Sequence, residues 1–147
     1  MATILLPRDF KEFLKLLNSH AVEYLVVGGY AVNYHGYPRA TGDIDIWVAR
    51  NRENAMRLAA ALHEFGFTQV SSDTFLVPDS VIRMGVPPLR IEILTSISGV
   101  EFAECYGNRT PADLDGVPVN IIDRDSLKKN KRACGRLKDL LDLEQLP

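Results

Sequence analysis

The sequence has little cysteine and no long apolar run. Its two cysteines, Cys105 and Cys134, form no CxxC pair and have no histidine at zinc-finger spacing, so we expect reduced thiols and no disulfide framework. No segment approaches the roughly 20 consecutive apolar residues of a transmembrane helix. Residues 1–9 lack the basic leader and apolar stretch of a signal peptide. These absences predict a cytoplasmic protein with no membrane partner.

An excess of charge of one sign is also missing. The 147 residues carry a net charge of −2, so the chain as a whole is not a polycation built to coat nucleic acid. With 46% hydrophobic and 24% charged residues, it has the composition of a globular protein, and its length predicts one domain over residues 1–147. The sequence leaves the oligomeric state open, because the apolar stripes of the first helix and of the tail could pack in the core or form an interface.

The apolar spacing predicts an α/β (α+β) fold, a small mixed β-sheet flanked by helices. Asp9 is expected to cap the first helix with Glu12 as capping-box partner, and Asn51 and Gly66 are expected to cap another helix. Helices are predicted at residues 9–17, 31–34, 51–66, 99–106 and 125–146, the last interrupted at 135. Strands are predicted at residues 24–27, 43–48, 68–70, 74–77, 81–86, 89–94 and 117–122, with a break at 87–88 and loops at 39–42 and 108–116.

Two aspartates in an apolar strand are the most informative feature. Asp43 and Asp45 alternate with Ile44 and Ile46, so both carboxylates lie on one face of the strand. Carboxylates this close raise each other's pKa unless a cation lies between them. Surface aspartates are the plain alternative, but aspartate is depleted in strands. The pattern therefore favours a divalent metal site.

Glu92 is the expected third acid, because it lies mid-strand between isoleucines as the aspartates do. Together with Asp43 and Asp45 it completes an oxygen cage for Mg²⁺, which prefers carboxylates and substrate phosphates. Two such ions clamp the attacking and leaving oxygens of a displacement at phosphorus. In this scheme the aspartates hold the metals, and Glu92 shares one of them and helps to deprotonate the attacking hydroxyl.

Other residues are candidates for phosphate binding. Gly28 and Gly29 form a strand-to-helix turn, where backbone N–H groups can approach a phosphate. Arg39 and Thr41 precede the acids in a loop, where Arg39 can bind phosphate or pair with an acid. The basic tail offers Lys131, Arg136 and Lys138 for a triphosphate or a nucleic-acid acceptor, with Arg83 and Arg90 as alternatives; a solvated helix face that pairs with nearby acids is the plain interpretation.

The glycine pair followed by Asp43-Ile44-Asp45, with a later apolar-flanked acid, resembles the nucleotidyltransferase superfamily that includes DNA polymerase beta. The run from Gly28 to Asp45, the segment Arg90–Thr95 and the tail at residues 130–142 are similar to small bacterial nucleotidyltransferase-like proteins, akin to the enzymes of abortive-infection toxin systems. One position departs from the pattern: Tyr30 stands where many members have a serine that holds the terminal phosphates.

The resemblance implies transfer of a nucleoside monophosphate from an NTP such as ATP, with release of pyrophosphate and with Mg²⁺, or Mn²⁺, as cofactor. Asp43, Asp45 and Glu92 would be both catalytic residues and metal ligands. The sequence does not name the acceptor, which is an RNA, a protein or a small molecule. The alternative is a catalytically inactive nucleotide-binding protein, either a regulator or the partner in a toxin–antitoxin pair.

Overall fold

The computed structural model describes residues 4–86 and 88–147. In this part of the chain, the helices lie at Arg8–Ser19 (α1), Gly28–Tyr34 (α2), Arg52–Phe65 (α3), Phe102–Gly107 (α4), Arg124–Cys134 (α5) and Leu137–Gln145 (α6). The strands lie at Tyr24–Val27 (β1), Ile44–Val48 (β2), Val81–Val86 (β3), Leu89–Leu94 (β4), Thr110–Leu114 (β5) and Val117–Ile121 (β6).

The strands form one mixed sheet in the order β3-β4-β2-β1-β6-β5. β1 is antiparallel to β2 and parallel to β6, and β2 is parallel to β4. The β3–β4 and β5–β6 hairpins form the two ends of the sheet. A mixed sheet flanked by helices confirms the predicted fold class. Because β1 and β2 lie at the centre, β1 is buried throughout, and the loop before β2 reaches the middle of the sheet.

Helix α3 begins and ends where the sequence predicts. The side chain of Asn51 accepts a hydrogen bond from the Asn54 N–H, and Gly66 ends the helix with φ of 105°. The predicted cap of α1 is wrong, because the helix begins at Arg8 after Pro7, and Asp9 lies within its first turn. Pro7 is the N-cap residue, and its carbonyl accepts a hydrogen bond from the Lys11 N–H at 3.1 Å.

Two predicted strands are absent from their positions. Residues 68–70 form no regular element, and residues 74–77 overlap a 3₁₀ helix at Ser72–Leu76. The Ser71 side chain accepts a hydrogen bond from the Asp73 N–H at the start of that helix. This local contact, together with burial of Phe75, outweighs the β propensity of the segment.

The prediction of a loop at residues 108–116 is also wrong, because most of this segment forms strand β5. Strand β5 pairs with β6 through a tight turn at Asp115 and Gly116, which both have positive φ. An Asp–Gly pair between two strands is a strong hairpin signal, and it was present in the sequence. Pro111 is tolerated because β5 is an edge strand.

The C-terminal tail has the helical structure that the sequence predicts. The tail is helical and is interrupted at Gly135, which has φ of 67°, as predicted. None of the helices in the described ranges has the length and apolar composition needed to cross a bilayer. The leader prediction rests partly on residues 1–3, and the predicted break includes Pro87; these residues lie outside the described part of the chain.

Candidate active site

The predicted acids meet at one end of the central strands. Asp45 in β2 and Glu92 in β4 are partners across the parallel ladder, so their side chains lie side by side on one face. Asp43 immediately precedes β2. A single nitrogen, Arg90 Nη2, lies 3.3 Å from Asp43 Oδ2 and 3.5 Å from Glu92 Oε1. The fold therefore brings Asp43 and Glu92 to one arginine nitrogen and places Asp45 beside Glu92 on the neighbouring strand.

Two arginines from the β3–β4 hairpin contact these acids. Besides the contacts of Arg90, Arg83 Nε lies 3.2 Å from Glu92 Oε1. Within residues 4–86 and 88–147, no group of three or more His, Cys, Asp or Glu side chains is arranged as a metal-ligand set, in keeping with a guanidinium between Asp43 and Glu92. From the sequence, both arginines were candidates only for phosphate binding. The signal for this pairing was the hairpin register, which places Arg83 opposite Glu92.

Asp45 is partly buried beside the other two acids. Burial raises the pKa of Asp45 to about 7, and the nearby carboxylates of Glu92 and Asp43 act in the same direction, while Lys138 opposes them. Its Oδ1 atom is buried and has no hydrogen-bond partner among the described residues. A buried, unpartnered carboxylate oxygen beside two further acids fits a divalent cation as its partner.

Side chains of Asp45 and of the loop before β2 fill the space next to the Gly28–Gly29 backbone. Gly28 has φ of 67°, and a Cβ built there would overlap Asp45 Oδ2. At Gly29, a Cβ would lie 2.6 Å from Thr41 Oγ1. Both positions therefore require glycine, because Asp45 and Thr41 pack directly on the backbone. Thr41 Oγ1 also donates a hydrogen bond to the Asp43 carbonyl and so supports the loop that carries the first acid.

Four basic residues were predicted to bind phosphate, and three of them make ion pairs with two buried aspartates. These five residues, Arg39, Lys131, Arg136, Asp139 and Asp142, form what we call the buried charge network. Lys131 Nζ lies 3.2 Å from Asp139 Oδ1 and 3.1 Å from Asp142 Oδ2. Arg39 Nη2 lies 2.8 Å from Asp142 Oδ2, and Arg136 Nε lies 2.6 Å from Asp139 Oδ2. Burial alone would raise the pKa of Asp139, but hydrogen bonds from Arg136 and Lys131 lower it. The network attaches α6 and α5 to the loop before β2.

Two cavities join at the acids. The larger, of about 540 Å³, includes Asp43, Arg83 and Glu92, and the smaller, of about 300 Å³, includes Gly28, Asn130 and Lys131. Residues that line both cavities are Gly29, Arg39, Asp45, Arg136 and Lys138. All ten predicted site residues therefore line one continuous cleft, and the exposed Lys138 lies near enough to Asp45 to lower its pKa.

Two residues near the glycine turn are held by contacts within the protein. Tyr30, at the position where the superfamily resemblance implies a serine, is buried with its ring in an edge contact with Phe10, at 6.1 Å between centroids. The contact that a serine would make with a phosphate must therefore come from backbone N–H groups or from other residues. His35 Nε2 lies 2.7 Å from the Ile122 carbonyl, which is the structural role that a single histidine most often has.

The sheet order and the acid pair beside a glycine turn define the nucleotidyltransferase fold. A crystal structure of a provisionally assigned nucleotidyltransferase from Thermotoga maritima is similar over 97% of this chain and 94% of that one, with a TM-score of 0.67 and 16% identity. The solution structure of the antibiotic-resistance factor ANT(2'')-Ia is similar over 94% of this chain and 80% of that one, with a TM-score of 0.61 and 14% identity.

The family follows from the sequence. The profile of the aminoglycoside-2''-adenylyltransferase family matches residues 9–126, which include the glycine turn and all three acids. The chain belongs to this family and is a nucleotidyltransferase, an enzyme of a class that generally uses divalent metal ions. A search of curated proteins finds no match.

Proposed function

We propose that the protein transfers a nucleoside monophosphate from an NTP to a hydroxyl group of an acceptor, in a reaction that depends on Mg²⁺. The observation that carries this proposal is the meeting of Asp43, Asp45 and Glu92 from two adjacent strands beside the Gly28–Gly29 turn. ATP is the proposed donor, because the family is named for adenylyl transfer. Mn²⁺ is expected to replace Mg²⁺, since both accept oxygen ligands.

The carboxylates of Asp43, Asp45 and Glu92 would hold the cation. When bound, a divalent ion supplies charge neutralisation for the triphosphate and for the transition state. Arg90 must then give up its contacts with Asp43 and Glu92, which are both long and involve one nitrogen. Loss of a weak, partly exposed ion pair costs little, so the guanidinium does not prevent metal binding.

The remaining side chains bind and orient the nucleotide. Gly28 and Gly29 allow the backbone to approach the phosphates, and Thr41 fixes the loop beside them. Lys138 and Arg136 line both cavities and are exposed, so they are the proposed direct phosphate contacts. Arg39 and Lys131 contribute positive charge from within the buried charge network.

The reaction itself needs one proton transfer. The acceptor hydroxyl oxygen forms a bond to the α-phosphorus, and the bond between that phosphorus and the bridging oxygen of pyrophosphate breaks. Pyrophosphate leaves with the bonding electrons. Glu92 accepts the hydroxyl proton and passes it to water, because it lines the cleft together with Asp43 and Asp45.

The test uses purified protein with Mg²⁺, each α-labelled NTP and cell extract. We expect the wild type to label an acceptor and release pyrophosphate, and Asp43→Asn or Asp45→Asn to reduce the rate by roughly a hundredfold or more, because metal stabilisation is several kcal/mol. Asp125→Asn, an exposed carboxylate on α5, is the matched control and should retain activity.

One result would replace this proposal with the non-catalytic alternative. If the wild type and both variants behave alike, and calorimetry shows that nucleotide binds equally well without a metal, the protein is a nucleotide-binding regulator or the partner in a toxin–antitoxin pair. Circular dichroism of each variant separates loss of activity from loss of the fold.

A further inference from the structure

We propose that Asn130 selects the nucleobase of the donor, so that the protein prefers nucleotides whose base carries an exocyclic amino group, ATP and CTP, over GTP and UTP. The proposal rests on the proposed function and adds the residue that reads the base. Asn130 lies on α5 and lines the smaller cavity of the cleft, together with the glycine turn. The selecting atom is its amide oxygen, Oδ1.

One part of the smaller cavity is lined by uncharged side chains. Leu94 lies two residues after Glu92 on β4, and therefore on the same face of the sheet as the acids. The loop that follows β4 packs against α5, where the Ser98 carbonyl accepts a hydrogen bond from Asn130. We call the residues of this part the uncharged pocket: Leu94, Ile97, Ser98, Asn130 and Cys134, all of which line only the smaller cavity.

Helix α5 turns its positive charge away from the uncharged pocket. Asn130 and Cys134 are four positions apart, so they share the face of the helix that meets the loop after β4. Lys131 is rotated by about 100° from Asn130 and pairs with the acids of α6 in the buried charge network. The face of α5 at the uncharged pocket therefore offers polar groups without a net charge.

A nucleotide has the same division into a charged and an uncharged part. Gly29, Arg136 and Lys138 line both cavities, so the groups proposed to bind the triphosphate lie where the cavities join. The uncharged pocket extends from this junction within the smaller cavity, and its apolar residues, Leu94 and Ile97, can cover the faces of a base. A base in this pocket lies next to Asn130.

The hydrogen bonds of Asn130 leave its oxygen for a ligand. Its Nδ2 atom donates to the Ser98 carbonyl at 2.9 Å and to Cys134 Sγ at 3.7 Å, and these are the hydrogen bonds that the side chain makes within the described residues. Both amide hydrogens are then used, and the carbonyl of Ser98 fixes the orientation of the amide because it accepts only from nitrogen. Asn130 is 8% exposed, so its Oδ1 gains from a donor on the ligand.

A fixed acceptor distinguishes bases by one exocyclic group. Position 6 of a purine and position 4 of a pyrimidine carry an amino group in adenine and cytosine, and a carbonyl oxygen in guanine and uracil. The amino group donates to Asn130 Oδ1, whereas the carbonyl would place two acceptors together without a hydrogen. The Ser98 hydroxyl can donate or accept and makes no such distinction. A polar group that is left unpaired in a site disfavours the wrong ligand.

The first experiment measures nucleotide Kd values by calorimetry in the presence of Mg²⁺. The ligands are the four NTPs and purine riboside triphosphate, which differs from ATP only in lacking the 6-amino group. For the wild type, we expect ATP and CTP to bind roughly fivefold or more tightly than GTP and UTP, and ATP to exceed the purine analogue by a similar factor, because one hydrogen bond to a buried acceptor is lost.

The same measurement on Asn130→Ala tests the residue. The ratio of the two Kd values, for the purine analogue and for ATP, should fall to about one, because the selecting oxygen is gone. If Asn130 only anchors the loop through Ser98, its loss weakens both ligands equally and leaves the ratio unchanged. Asn108→Ala, the same substitution at an exposed position after α4 that lines neither cavity, is the matched control and should keep the wild-type ratio.

A second experiment on the wild type locates the base. Cys134 is partly exposed in the uncharged pocket, whereas Cys105 is buried. With Mg²⁺ and ATP at about ten times its Kd, alkylation of Cys134 by iodoacetamide should slow about tenfold, because only the free protein reacts. Inorganic tripolyphosphate, which has the phosphates without a base, should leave the rate nearly unchanged. Mass spectrometry of the Cys134 peptide measures the rate.

Several outcomes would overturn the proposal. Equal or tighter binding of the purine analogue relative to ATP, a wild-type ratio in Asn130→Ala, or equal alkylation of Cys134 with ATP and with tripolyphosphate would each exclude a base held at Asn130. These results leave the proposed function standing if the wild type still binds NTPs with Mg²⁺ and transfers the label. If the wild type transfers label from none of the four NTPs, the proposed function fails instead.

Discussion

Asp45 is a carboxylate in an unfavourable place for the metal-free protein. The unfolded chain has the ordinary pKa of 3.8, whereas burial and the neighbouring acids raise the pKa of Asp45 to about 7 in the folded protein. Between these two values the folded state binds more protons than the unfolded state. Stability therefore falls as pH rises from about 4 to about 7, and the loss is complete above pH 7. The ionised Asp45 carboxylate therefore lowers the stability of the metal-free protein at neutral pH.

Removing this charge should stabilise the metal-free protein. For Asp45→Asn in the presence of a chelator, we expect a higher free energy of unfolding at pH 8, by on the order of 4 kcal/mol at most, because each pKa unit is about 1.4 kcal/mol. The gain should be smaller at pH 5, where the wild-type carboxyl is largely protonated. Urea unfolding at both pH values measures it.

The control for this measurement is Asp125→Asn, since Asp125 is an exposed carboxylate on α5. Its effect should be small and should not differ between pH 5 and pH 8. An Asp45→Asn variant that is less stable than wild type at pH 8, or equally affected at both pH values, would show that Asp45 is not a destabilising buried charge.

At the scale of elements, α6 is held in an unusual orientation. Its acids Asp139 and Asp142 are buried, while Leu137, Leu140 and Leu141 are exposed. The helix is therefore fixed to the protein by ion pairs with Lys131, Arg136 and Arg39 in the buried charge network. Because Arg136 and Lys138 line the cleft, this attachment also positions two of the proposed phosphate contacts.

Breaking the network should release α6. We expect Asp139→Asn to reduce stability by roughly 3 kcal/mol or more, because removal of one partner leaves Lys131 buried without its full charge complement. Nucleotide binding should weaken as well, since the helix carries Lys138. Thermal unfolding and calorimetric titration with a nonhydrolysable NTP analogue measure the two effects.

Glu144→Gln provides the comparison on the same helix, because Glu144 is exposed. It should change stability by less than about 0.5 kcal/mol. The lowered pKa of Asp139 adds a pH dependence: the stabilisation is present above the ordinary pKa of 3.8 and is lost as pH falls through the lower, folded value. Equal effects of Asp139→Asn and Glu144→Gln would mean that the network does not hold α6.

At the scale of the whole molecule, one sheet connects all the parts of the site. The central strands β1 and β2 carry the glycine turn and the aspartates, and their apolar residues belong to a single hydrophobic core. The only tryptophan, Trp47, is buried in β2 two residues from Asp45. A single domain over residues 1–147 is therefore proposed to unfold as one cooperative unit.

Cooperative unfolding can be tested with a core substitution. Leu25→Ala, at a fully buried position of β1, should destabilise the protein by about 2–5 kcal/mol. Far-UV circular dichroism and Trp47 fluorescence should report the same transition, before and after the change. Leu5→Ala, at an exposed position, is the control. Two separate transitions would contradict the single domain.

The sequence by itself determined the features that depend on neighbours in the chain. The alternation of acids with isoleucines placed Asp43 and Asp45 on one face, and Asn51 and Gly66 set both ends of α3. These signals are local, because strand alternation and helix capping involve residues only two to four positions apart. The fold class followed from signals of this kind, whereas Gly28 and Gly29 were predicted from the glycine turn, and Lys131, Arg136 and Lys138 from the concentration of basic residues in the tail.

Only the tertiary structure decided the partners of the charged side chains. Arg39 and Asp142 are 103 residues apart in sequence, and Arg90 and Asp43 are 47 apart, yet each pair is in contact. No local pattern indicates which acid a given arginine will meet, because strand order and helix packing bring them together. Burial, and with it the raised pKa of Asp45, likewise exists only after the sheet has formed.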